Sequence, residues 1–136
     1  MAERQGSCLC KKVTVTAKEC SDKVGACHCN MCRKQNAGPF FAVDCGTSVE
    51  FSGEDQIVTY SSSAWAERGF CKTCGSTLFY RLKGTGQTMM SPELFEGAEF
   101  EFDHEVFIDE KPAHYAFSNK TKQMTGPEVF AMFSGS

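Results

Sequence analysis

The sequence predicts an all-β fold, and three observations carry that expectation. Apolar and polar residues alternate in short runs instead of recurring at helical spacing. Turn-forming residues punctuate those runs at 46–47, 52–55, 83–86 and 111–112. No stretch keeps a helical period over about eleven residues.

The elements follow in order. The first strand is expected at 12–17, where Val13, Val15 and Ala17 fall on one face and polar side chains on the other. Further strands are expected at 39–45, 48–51, 56–60, 64–70, 76–82, 87–91 and 104–108. A single short helix is expected at 31–36, with Gly38 as its stop. Beyond Ser118 the chain turns polar, so 118–136 reads as a tail whose residues Phe130 and Phe133 could dock back. Trp65 is expected in the core, and His104 and His114 in packing or surface roles.

A chain of 136 residues fits one domain, here 1–136, with no room for a second ordinary core. Hydrophobic residues make up 41%, below the globular norm, but twelve phenylalanines bury a large area each. The net charge of −3 and the lack of a long basic run argue against a nucleic-acid partner. No apolar run is long enough to cross a bilayer. The amino-terminal residues carry no export-signal pattern, so a reducing, cytoplasmic setting is expected.

Nine cysteines dominate the chemistry. Seven lie in three clusters: Cys8 and Cys10; Cys27, Cys29 and Cys32; Cys71 and Cys74. An odd total cannot pair fully within the chain, and a Cys-x-Cys spacing suits a disulfide poorly, so metal is favoured. Cys71-Lys72-Thr73-Cys74-Gly75 has the form of a zinc knuckle, with the glycine at positive φ. With Cys8 and Cys10 it supplies the four thiolates of a closed structural zinc. Cys27, Cys29 and Cys32 supply three, which leaves one position open, as in a catalytic zinc. His28 could be a fourth ligand, but in an extended segment it points away from its neighbours, and that reading is preferred. Three thiolates on zinc carry a formal charge of −1, and Arg33 and Lys34, unless they are a solvated pair on a short helix, are the cations expected to balance it and hold a substrate's carboxylates. Cys20 and Cys45 lie outside the clusters and are expected as buried, unreactive thiols.

The order of three motifs resembles one family. Gly6-Ser7-Cys8-Leu9-Cys10, then Cys27-His28-Cys29-Asn30-Met31-Cys32-Arg33-Lys34, then Arg68-Gly69-Phe70-Cys71-Lys72-Thr73-Cys74-Gly75 are similar to the glutathione-dependent formaldehyde-activating enzymes, which include centromere protein V. The resemblance spans about 6–116. It implies a β-tent of several small antiparallel sheets stapled by zinc. It implies a structural zinc on Cys8, Cys10, Cys71 and Cys74, and a catalytic zinc on Cys27, Cys29 and Cys32. The implied activity is that of a carbon–sulfur lyase: glutathione, the co-substrate, adds to formaldehyde and yields S-(hydroxymethyl)glutathione. Whether zinc would bind the thiolate or polarise the aldehyde stays open. So does the alternative of a non-catalytic zinc module that binds glutathione or a protein partner. The chain departs from the family pattern at 90–95, where Pro92 and Phe95 replace a small-Gly-x-Leu-Asp stretch, and at His114, where tryptophan is common.

Overall fold

The structure is a computed structural model that describes residues 2–134. It is strand-rich, as the alternation predicts, and its strands form two sheets. In the first, β1 (Ala2–Ser7), β2 (Thr14–Cys20) and β5 (Val49–Ser52) lie antiparallel in the order β1-β2-β5. The second holds β3 (Lys23–Cys27), β4 (Phe40–Asp44), β6 (Ile57–Tyr60), β7 (Ala66–Cys71), β8 (Thr77–Leu82), β9 (Thr88–Met90), β10 (Glu101–Val106) and β11 (Lys122–Met124). Their order is β11-β10-β3-β4-β9-β8-β7-β6. Contrary to a wholly antiparallel expectation, β10 runs parallel to both β3 and β11. The long connection from β3 to β10 permits this, because a parallel pair cannot be closed by a hairpin.

The expected strand at 12–17 is β2, and Val13, Val15 and Ala17 do face the core. They pack with Val43, Leu78, Phe79 and Met90. The helix expected at 31–36 is α1 (Asn30–Asn36) and ends where expected, but its cap is Ala37 and not Gly38. Ala37 itself takes the left-handed conformation, φ 59°. The polar tail is not a tail: it folds into β11 and α2 (Gly126–Ser134). Phe130 docks back, its ring 5.7 Å from Phe107 and 6.4 Å from Trp65. The side chain of Phe133 and residues 135–136 lie outside the described part. Trp65 is corrected from core to surface, 52% exposed, because it lies in the connection just before β7, with its ring beside Phe130.

Cys20 and Cys45 are also corrected: the two are joined by a disulfide, with Cα atoms 4.2 Å apart. Both are wholly buried, and the bond ties the end of β2 to the end of β4, linking the two sheets.

β3 and β1 escaped the sequence pattern. Lys23-Val24-Gly25-Ala26-Cys27 has no alternation because Val24, Gly25 and Ala26 are all buried. Gly25 is required there: the His104 ring occupies the place of a side chain, and a Cβ would lie 2.0 Å from its Nε2. A sharper constraint holds β1. A Cβ on Gly6 would stand 2.0 Å from the Leu94 carbonyl oxygen, which is backbone and cannot swing aside. Gly6→Ala is therefore expected to destabilise the fold by about 1–3 kcal/mol, read as a lower urea midpoint. An unchanged midpoint would show that β1 is free to move off the Pro92–Leu94 turn.

Candidate metal centres

Both cysteine sets meet in space. The sulfur atoms of Cys8, Cys10, Cys71 and Cys74 all lie within 4.8 Å of one another, and so, separately, do those of Cys27, Cys29 and Cys32. The first set joins the β1–β2 turn to the β7–β8 turn, and so staples the two sheets. Ligands about 2.3 Å from a tetrahedral zinc stand about 3.8 Å apart. Cys8 and Cys10 Sγ are 3.6 Å apart, and Cys10 and Cys71 Sγ 3.7 Å, which fits that edge length. Gly75 has φ 76°, as its place in the knuckle requires, and its N–H donates to the Cys71 carbonyl at 2.8 Å. The Ser76 hydroxyl, 3.2 Å from Cys74 Sγ, is the main cause that brings this thiol down to about 5. The Val13 N–H donates to Cys8 Sγ at 3.4 Å. These donors favour thiolate, the form that binds metal.

The second set sits where β3 hands over to α1. Cys27 ends the strand, Cys29 caps the helix, and Cys32 lies in its first turn. The Cys32 N–H donates to Cys29 Sγ at 3.4 Å, so the sulfur serves as helix cap and candidate ligand together. Cys29 and Cys32 are buried among Phe40, Ala42, Tyr80 and Phe107. Contacts from the Cys27 thiol, then from Cys32, outweigh burial and bring Cys29 down to about 2; the same contacts drive Cys27 upward.

The balancing cation comes from elsewhere than expected. Arg68 on β7, 4% exposed, donates from Nη1 to Cys32 Sγ at 3.2 Å and to Gln35 Oε1 at 3.2 Å. Its guanidinium carbon stands 5.0 Å from the centre of the Tyr80 ring. Burial opposes its charge, but the pull of Cys32 outweighs burial and holds it more firmly protonated. Arg33 Nε donates instead to the His28 carbonyl at 3.0 Å, and Lys34 lies exposed at the helix surface. A sequence signal for Arg68 existed: it alternates with Ala66, which is wholly buried, an odd place for an unpaired cation.

His28 is wholly buried, and both ring nitrogens are taken by oxygen partners, Nε2 by Glu105 at 2.7 Å and Nδ1 by the Tyr115 hydroxyl at 2.7 Å. It faces away from the sulfurs, and among the described residues no fourth ligand joins the three-cysteine set. His104 pairs with Asp103, and His114 is exposed beside Tyr115. The departure at 90–95 packs with the main core and not with the cluster that holds Cys29 and Cys32. Leu94 and Phe95 pack into the main core near Cys8.

A family model described as glutathione-dependent formaldehyde-activating enzyme matches residues 3–109, and both cysteine sets fall inside it. The chain belongs to that family. An uncharacterized lyase of Schizosaccharomyces pombe is 40% identical over 131 residues, covering 95% of this chain and 96% of the relative. The crystal structure of a Rhodobacter sphaeroides protein shares the fold, with a TM-score of 0.59 at 20% identity, over 68% of this chain and 88% of that one. The family match ends at Asp109, so β11, α2 and the segment that delivers Tyr115 lie beyond it.

Proposed function

We propose that this formaldehyde-activating family member is a zinc-dependent carbon–sulfur lyase acting on the glutathione–formaldehyde adduct, S-(hydroxymethyl)glutathione synthase-like, in the cytoplasm. One observation carries the reading: three sulfurs converge at Cys27, Cys29 and Cys32, while the histidine between them is committed to other partners. A three-ligand set suits an exchangeable guest, and a four-ligand set suits a structural ion. The donor chemistry fits zinc at both places. Held by the three cysteines, zinc would supply a Lewis-acid position that keeps a guest thiol ionised at neutral pH or polarises an aldehyde oxygen.

The protein's own groups do the rest. Cys27, Cys29 and Cys32 fix the direction of the open position. Arg68 offsets the negative charge of three thiolates, so an anionic guest meets a less repulsive site. Phe40, Phe107 and Tyr80 keep one side of the set apolar, which strengthens the electrostatic interactions inside. In the synthetic direction the glutathione sulfur pair forms the new C–S bond. The carbonyl π pair moves to oxygen, and water supplies the proton that completes the hydroxymethyl group.

The test is the exchange rate between free glutathione, formaldehyde and their adduct, followed by magnetisation-transfer NMR with zinc-loaded protein. Exchange faster than in buffer, lost with a strong chelator and regained with zinc, is the expected result. Exchange at the buffer rate would sink the enzymatic reading.

A further inference from the structure

The most completely buried polar cluster of the site lies behind the cysteines. Glu105 on β10 is 3% exposed, and both carboxylate oxygens are occupied: Oε1 by His28 Nε2, Oε2 by the Thr121 hydroxyl at 2.5 Å and, more loosely, Gln123 Nε2 at 3.5 Å. Burial opposes its ionisation, but the Thr121 and His28 hydrogen bonds outweigh that and hold the carboxyl below its ordinary range. The His28 ring is flanked by Tyr115 at 5.5 Å and Phe117 at 6.0 Å. The His28 N–H also donates to the Val106 carbonyl at 3.1 Å. Of these partners, Tyr115, Phe117, Thr121 and Gln123 all come from the chain beyond the family match.

A buried carboxylate with three committed contacts is costly unless every partner is in place, so such a chain fixes geometry tightly. Successive side chains in an extended segment point to opposite sides. Anchoring His28 on one side therefore sets where Cys27 and Cys29 point on the other.

We infer that Thr121, Glu105 and Tyr115 act through His28 as positioning residues for the three-cysteine site, which makes the segment 110–125 a working part of that site. The inference rests on the reading that this site takes a metal. Partners that orient a metal's ligands are worth about 10–100-fold in metal affinity.

The test is metal affinity at each site, by chelator competition with zinc and by the visible spectrum of the cobalt(II) form, with Cys29→Ser marking which signal belongs to the three-cysteine site. The double variant Tyr115→Phe with Thr121→Val keeps both side-chain shapes and removes two hydroxyls. It is expected to weaken the three-cysteine site about 10–100-fold and to shift its cobalt bands, with the four-cysteine site unchanged. Thr121→Ser, which restores the hydroxyl, is expected to hold wild-type affinity. Wild-type affinity in the double variant, or an equal loss at both sites, overturns the inference while the metal reading stands. A wild-type chain that takes up one metal instead of two overturns the metal reading itself.

Discussion

Cys71→Ser, or removal of zinc by a strong chelator, is expected to abolish cooperative folding. The four-cysteine set is the place where the turn of the three-stranded sheet meets the β7–β8 turn of the larger one. Cys71 is wholly buried and packs in the same core as Val13, Val15, Leu78 and Phe79. Structural zinc contributes about 10–16 kcal/mol in small metal-organised domains, as large as the whole net stability of a typical domain, about 5–15 kcal/mol. The disulfide between Cys20 and Cys45 also bridges the sheets, but at their far strand ends, and it leaves the β1–β2 turn unanchored. Far-ultraviolet circular dichroism on heating would read the effect. A sharp, unshifted transition in Cys71→Ser would mean that the quartet is dispensable for the fold.

The second large effect concerns Cys29. Serine at this position is expected to return glutathione–formaldehyde exchange to the buffer rate and to leave the fold intact. The two consequences separate for a local reason. Cys29 is the helix cap, its sulfur accepting the Cys32 N–H, and a serine hydroxyl fills that role at least as well. Its neighbourhood is a small satellite of the core, so little packing is lost. A ligand is lost outright, however, because a serine hydroxyl stays neutral where a thiol ionises. Exchange kinetics together with a melting curve check both halves. Retained acceleration with an intact fold would remove the three-cysteine set from the chemistry.

Much of this was legible in the residues. Val13, Val15 and Ala17 announce β2 by alternation, and cysteine spacing announces both metal-capable sets. What stayed hidden has physical causes. β3 lost its alternation because it is buried on both faces, and β1 is too polar in Glu3-Arg4-Gln5 to signal a strand; it exists because β2 supplies its partners. α2 carries a readable start signal. Thr125-Gly126-Pro127-Glu128 is a capping box, with Glu128 N donating to the Thr125 hydroxyl and Thr125 N to the Glu128 carboxylate. Arg33 and Lys34 read as counter-charges because they adjoin the motif, but sequence neighbours on a helix diverge, and Arg68 reaches Cys32 across 36 positions. The partners of His28 lie further still, 77 and 87 positions along, where no local pattern could reveal them.

Zinc-edge X-ray absorption distinguishes a closed quartet with a separate open trio from any other arrangement of the seven thiols. Subtracting the spectrum of Cys29→Ser from that of the fully loaded wild type isolates the second site. The difference is expected to show three sulfurs at about 2.3 Å and one lighter neighbour, which sulfur replaces when glutathione is added. A nitrogen at about 2.0 Å with the outer-ring scattering of imidazole, or no second site to subtract, would contradict the open trio.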